Sequence, residues 1–165
     1  MEIIKQLYDI GNLFDVSNDL ATIKTTFNTI VKIEIEYRNL TNGTPNDVLK
    51  DIYETALCIS LRGAGGNCNF DELQKGLRAI ERFVFSEHYH LEKAIPHAAK
   101  AAYMAQLIAT SQATFEKFSN PIQVADAKIE APHNTRLNKL KKSNPEAFFY
   151  WWWACRTSLW LGYNS

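Results

Sequence analysis

The chain of 165 residues is 46% hydrophobic and 22% charged, which is the composition of a folded domain and excludes an intrinsically disordered protein. Its 18 basic and 18 acidic residues cancel, which excludes a strong overall attraction to nucleic acids or anionic membranes. The sequence has no run of about 20 apolar residues, so we expect no transmembrane segment.

Two helices are predicted at the start of the chain, because apolar residues recur there every three or four positions. The first helix carries Ile3, Ile4, Leu7, Ile10 and Phe14. Ser17 or Asn18 can cap a second helix, and its apolar stripe comprises Leu20, Ile23, Phe27, Ile30, Ile33 and Tyr37. Residues 31–37 also alternate between apolar and charged side chains, as a strand would, but the helical stripe continues through them and we favour a helix.

The next two helices have clear starting signals. Thr44 is suited to cap a helix whose first residue is Pro45, and the glycine-rich stretch 62–68 should end that helix. Asn69 precedes Glu72 by three residues, which is the spacing of a capping box and predicts another helix start.

Pro96 divides the long helical stretch that follows. Because proline lacks an amide hydrogen, the helix from Phe70 should end or kink near Ala94, and a new helix should run from Pro96 to about Phe118. Small side chains along one side of this new helix would let a neighbouring helix approach closely, so we predict a central position for it. They are Ala98, Ala101, Ala102, Ala105 and Ala109.

The remainder of the chain is predicted to hold two more helices. The stretch from Asn120 to Pro132 has a weak pattern and is predicted to be a long loop or one short helix. A short basic helix should follow Asn134. The pair Asn144 and Pro145 is a helix-start signature, so the last helix is expected from Pro145 to Gly162. The fold prediction is therefore an all-α, single-domain bundle of six to seven helices over residues 1–165.

The last predicted helix holds all four tryptophans of the chain, Trp151, Trp152, Trp153 and Trp160. One interpretation is a helix that seals the core, with Arg156 stacked between Trp153 and Trp160 by cation-π contact. The other is a docking face, because tryptophan and arginine are enriched where protein partners bind. At most two of three consecutive tryptophans can face one core, so the predicted partner-binding residues are Trp151, Trp153, Arg156 and Trp160. Both interpretations can hold in a dimer.

A run of basic residues precedes this helix and offers an alternative function. Arg136, Lys139, Lys141 and Lys142, together with the aromatic helix, could bind a nucleic acid or a membrane surface. The simpler interpretation of the run is a solvated helix face.

Neither a metal site nor a cofactor site is predicted. Glu87 and His90 have the E-x-x-H spacing of two-metal helical bundles, but that motif must occur twice. The second copy, Glu130 and His133, is interrupted by Pro132 and should not be helical. The stretch 63–66 lacks the lysine and the serine or threonine of a phosphate-binding loop.

The cysteines suggest a compartment. Cys58, Cys68 and Cys155 are an odd number without zinc-type spacing, so we expect three free thiols and a cytoplasmic protein.

The segment Arg82-Phe-Val-Phe-Ser-Glu-His88 resembles the pattern of an arginine, four to six residues and a histidine in the HEPN family of small helical ribonucleases. The resemblance implies that Arg82 and His88 would bind and activate the scissile phosphate across a dimer. The family usually has a polar residue after the arginine, where this chain has Phe83. The alternative interpretation is an ion pair between Arg82 and Glu81 or Glu87.

The sequence as a whole favours binding over catalysis. We predict a non-catalytic helical binding or inhibitory protein that docks onto another protein, or onto a second copy of itself as a homodimer. The HEPN-like ribonuclease is the first alternative. Attachment to a nucleic acid or a membrane surface through residues 136–142 and the aromatic helix is the second.

Overall fold

The computed structural model describes residues 2–39, 43–80, 82–84, 88–130, 132–156 and 160. Within these ranges the chain forms seven α-helices, one short 3-10 helix and no β-strand, which confirms the predicted all-α fold. The α-helices are α1 (Glu2–Val16), α2 (Leu20–Tyr37), α3 (Pro45–Ser60), α4 (Phe70–Ile80), α5 (Leu91–Ala109), α6 (Asn134–Ser143) and α7 (Pro145–Arg156). The 3-10 helix, Pro121–Val124, lies in the loop between α5 and α6.

Helix α5 forms the centre of the bundle, as its small side chains predict. It packs against α1, α3 and α7. Its alanines Ala94, Ala98, Ala99 and Ala102 are fully buried, so the backbones of neighbouring helices can approach it closely.

The predicted boundary at Pro96 is wrong, because α5 begins five residues earlier, at Leu91, and continues through the proline. The amide hydrogen that Pro96 lacks would have bonded to the carbonyl of Glu92, which lies in the exposed first turn of α5 and can be hydrated instead. The helix also ends at Ala109 and not near Phe118.

Helix α4 is shorter than predicted, because it ends at Ile80 and the chain then turns at Arg82 and Phe83. This change of direction brings Tyr89 into the core, where its hydroxyl and Nδ1 of His97 are hydrogen bonded at 3.0 Å. A helix continued from Phe70 to Ala94 would not have allowed this pairing.

The starts of α3 and α7 agree with the sequence signals. Thr44 caps α3 in a capping box with Asp47, and the amide of Ala147 donates to the side chain of Asn144 at 3.0 Å. Helix α2 continues through residues 31–37, so the helical interpretation of that stretch is confirmed. Its cap is Asp19, however, and neither Ser17 nor Asn18.

The expectation of three free thiols is wrong, because Cys58 and Cys68 form a disulfide. Cys58 lies in α3, and the chain returns to it through the turn after that helix. Gly66 allows this return because its φ is +76° and a Cβ atom there would collide with the carbonyl of Glu54. Only Cys155 is a free cysteine, so the cysteines no longer support the expectation of a cytoplasmic protein.

Candidate docking surface

The first of the predicted partner-binding residues, Trp151, belongs to the core. Its side chain is fully buried, and its indole N–H donates to the hydroxyl oxygen of Ser60 at 2.8 Å. The ring of Tyr53 meets it edge-on, with 5.4 Å between the ring centroids. Trp151 is therefore removed from the proposed docking residues.

The remaining predicted residues lie at the end of α7. The guanidinium of Arg156 lies 5.1 Å from the ring centroid of Trp153, which agrees with the predicted stacking. The second ring beneath it is that of Trp152, at 4.7 Å, since residues 152 and 156 are one helical turn apart. Trp160 packs on Tyr53 instead, at 5.4 Å. Arg156 is exposed and both tryptophans beneath it are half-buried. The predicted continuation of the helix to Gly162 lies outside the described residues, apart from Trp160, which is not helical.

The predicted basic patch is divided by the fold. Lys141 turns back onto the protein, where its ammonium donates to the carbonyl of Ala127 at 2.9 Å and lies over the ring of Phe148. Arg136 donates to the carbonyl of Ala64 at 3.4 Å. The side chains of Lys139 and Lys142 are exposed to solvent. Two of the four predicted residues thus have partners within the protein.

The residues of the ribonuclease resemblance lie in the connection between α4 and α5. Arg82 and His88 are both exposed, and the ring of His88 stacks on that of His90 with 5.3 Å between centroids. Glu81 and Glu87, the predicted ion-pair partners of Arg82, lie outside the described residues, and so does the first residue of the Glu87 and His90 motif.

The described part of the chain holds no group of three or more histidine, cysteine, aspartate or glutamate side chains able to bind a metal ion. Glu130 lies outside any helix and is paired with Lys128 at 3.6 Å.

The chain also buries a charged side chain that sequence reasoning missed. Lys100 is only 3% exposed and makes ion pairs of 2.8 Å with both Asp15 and Glu146. These pairs link the central helix α5 to α1 and α7. The available signal was a lysine placed among the alanines of α5, where a charge requires partners.

A larger omission concerns α2. This helix has 18 residues, yet only Leu20 and Val31 are buried. Much of its predicted apolar stripe lies at the surface, with Ile30 53%, Ile33 56% and Tyr37 82% exposed. The exposure of this helix could have been inferred from its low content of charged residues between Leu20 and Val31, but not from the spacing of its apolar residues.

We define the α2 face as the five apolar side chains Ile23, Phe27, Ile30, Ile33 and Tyr37. Ile23 and Phe27 are half-buried, and the other three are exposed. From Leu20 to Val31 the helix carries a single charged residue, Lys24, and its polar positions are otherwise threonine and asparagine. An exposed helix surface with so little charge is typical of an interface and not of a solvated face.

The α2 face belongs to a broader concentration of exposed apolar residues. Of the nine large apolar side chains that are exposed within the described ranges, seven lie on α1 and α2. Those on α1 are Ile3, Ile10, Leu13 and Val16. The other two are Phe83 and Ile122.

Two cavities of the described structure are small or open to solvent. One, lined by Gln74, Arg78 and His90, has a volume of about 170 Å³, below the roughly 300 Å³ of small-molecule pockets. A second, beside Phe115 and Lys117, has a volume of about 320 Å³ and is open to solvent.

In comparisons with known proteins, no protein-family model, no curated protein and no solved structure matches the chain. Across the described residues, no helix combines the length and the apolar character needed to cross a membrane.

Proposed function

We propose that this protein acts by binding another protein surface through the α2 face. The observation that carries the proposal is the contrast between two helices of nearly equal length. Helix α5 buries 11 of its 19 residues, whereas α2 buries two of its 18. A helix in a bundle is normally stabilised by packing an apolar stripe, and the stripe of α2 is unpacked over much of its length.

The energetic gain from covering this face is substantial. Fully burying an isoleucine or a similar side chain contributes about 1.5–3 kcal/mol relative to exposure. Ile30, Ile33 and Tyr37 are each more than half exposed, so a partner that covers them would gain much of this burial free energy from all three. Part of it offsets the entropy lost on association.

The surroundings of the face also fit a protein partner. The threonines Thr22, Thr25, Thr26 and Thr29 lie on the exposed part of the helix. Thr25 and Thr29 donate their hydroxyls to the carbonyls of Ala21 and Thr25, so the polar groups are satisfied within the helix. This threonine-lined part of the face can be covered without burying an unpaired charge.

The end of α7 contributes a smaller candidate contact. Arg156 lies over Trp152 and Trp153, and its side chain is exposed. Stacked arginine and tryptophan side chains are frequent at the energetic centres of interfaces. We therefore retain Trp153 and Arg156 as secondary docking residues.

Site-specific photo-cross-linking tests the proposal. A photoreactive amino acid placed at Ile33 on the α2 face should give one discrete cross-linked protein product in cells that express the chain. The matched control carries the same amino acid at Ile122, which is 81% exposed but lies in the loop after α5. Equal cross-linking at the two positions, or none at position 33, would contradict docking through α2.

A further inference from the structure

We infer that the partner of the α2 face is α2 of a second copy of this chain, packed antiparallel about Ile30. The inference rests on the proposed function, since it names the occupant of the same face. Two properties of α2 support it: the spacing of the apolar residues and the direction of the helix dipole.

The spacing of the α2 face is the same in both directions along the helix. Ile23, Phe27, Ile30, Ile33 and Tyr37 are separated by four, three, three and four positions. A two-fold axis at Ile30 therefore brings Ile23 level with Tyr37 of the other copy and Phe27 level with Ile33. A contact between identical copies requires such self-complementarity, because each apolar residue must meet an apolar residue of the same patch.

The charged residues of α2 do not oppose the pairing. Lys24 and Glu36 each lie six positions from Ile30, about 120° around the helix from it, so both lie outside the seam. Glu34, which lies nearer the seam, is paired with Arg38 at 3.1 Å, and Lys24 donates to the carbonyl of Gln112.

The helix macrodipole favours the antiparallel direction. Helix α2 has two acidic residues, Glu34 and Glu36, near its C-terminal end and no basic residue in its last turn. Negative charges at a C-terminal end are unfavourable for the helix that carries them. In the antiparallel pair, the positive N-terminal end of the second α2 lies beside them and offsets that effect.

The size of the contact sets its strength. Eighteen residues of α-helix extend about 27 Å, and packed helices lie about 8–10 Å apart. A contact between two such helices falls at the small end of protein interfaces, below about 1,200 Å² in total. The dimer should therefore dissociate on dilution.

Molecular mass in solution tests whether a second copy of the chain covers the α2 face. At high concentration, sedimentation equilibrium should give twice the chain mass of 18.9 kDa, and dilution should return the value of one chain. Ile30→Glu should give a single chain at every concentration, and Ile33→Glu serves the same purpose if the first variant fails to fold. Ile122→Glu adds the same charge at another exposed position and should remain a dimer.

Cross-linking through introduced cysteines tests the direction. Ile30→Cys should form a disulfide-linked dimer, because the two copies of residue 30 meet at the axis. Tyr37→Cys alone should not, whereas a mixture of Ile23→Cys and Tyr37→Cys should give the mixed dimer. Efficient self-linking of Tyr37→Cys would show a parallel pair and overturn the arrangement.

Failure of this inference differs from failure of the proposed function. A wild-type chain that is a single copy at all concentrations, or an Ile30→Glu variant that remains a dimer, overturns self-docking. If the photo-cross-link at Ile33 then joins a different protein, docking through α2 still holds. If the chain instead sediments with phosphatidylcholine–phosphatidylglycerol vesicles, and Ile30→Glu does not, the occupant is a membrane and both proposals are overturned.

Discussion

The indole N–H of Trp151 donates to the hydroxyl oxygen of Ser60 across 2.8 Å, which links α7 to the last residue of α3 inside the core. This bond explains why a serine lies buried at the end of an otherwise apolar helix surface. It also shows that Trp151 holds α7 against the rest of the bundle.

Ser60→Ala should destabilise the fold by about 1–3 kcal/mol, because the buried indole N–H of Trp151 loses its acceptor. Urea unfolding followed by circular dichroism measures the change. Trp151→Phe removes the donor from the same bond, so the double variant should lose less stability than the two single losses together. Strict additivity would show that the two side chains act independently.

The ion pairs of Lys100 predict that removing the two carboxylates destabilises the fold more than removing the lysine. Asp15→Asn with Glu146→Gln should destabilise the fold by about 3–5 kcal/mol, because an ammonium group remains buried without a carboxylate. Lys100→Met should cost less, since both carboxylates retain some contact with water. The comparison uses urea unfolding at neutral pH, and a larger loss for Lys100→Met would contradict it.

Gly11 and His97 predict a reversal of the usual glycine effect. In an ordinary helix, glycine to alanine stabilises by about 0.5–1 kcal/mol. At Gly11 a Cβ atom would overlap the imidazole ring of His97, so Gly11→Ala should destabilise by about 1–3 kcal/mol. In a His97→Ala background the same substitution should become harmless or favourable. Thermal unfolding of the four proteins measures this, and a stabilising Gly11→Ala in the wild type would contradict the contact.

Helix starts were predictable because capping is local. Thr44, Pro45 and Asp47 carry the whole signal for the start of α3 within four positions. Pro96 led to a wrong helix boundary because the start of α5 does not depend on local signals alone. Its local penalty is limited to one hydrogen bond near the exposed helix start, and the packing of α5 against three helices outweighs it.

The candidate site was harder to predict than the fold. An amphipathic period shows that α2 has an apolar stripe, but the same period describes a core-facing stripe and an exposed one. Which of them Ile30 and Ile33 form depends on where α1, α3 and α5 lie, and only the folded chain determines that. The aromatic helix α7 differs from α2, because its predicted docking residue Trp151 is buried and contacts Tyr53 and Ser60 of the same chain.

The disulfide predicts a measurable redox effect. Replacing Cys58 and Cys68 together with alanine should lower the free energy of unfolding by about 2–4 kcal/mol, because the cross-link restricts the unfolded chain. Dithiothreitol should lower the stability of the wild type by a similar amount and leave the double variant unchanged. Equal stability of the wild type with and without the reductant would show that the bond does not contribute.

The thiol of Cys155 should react more slowly with an alkylating reagent than an exposed thiol does. Burial raises the pKa of its thiol to about 12, because the thiolate is poorly solvated there, and a hydrogen bond with Tyr53 opposes this only in part. An unfolded cysteine has a pKa near 8.5, so this contribution to stability is present below that pH and is lost as pH rises towards 12. Iodoacetamide should therefore alkylate the folded protein slowly at pH 8, with a rate that keeps rising above pH 10, and should modify one thiol rapidly in urea without reductant. A rate that levels off near pH 9 in the folded protein would show that Cys155 is exposed to water.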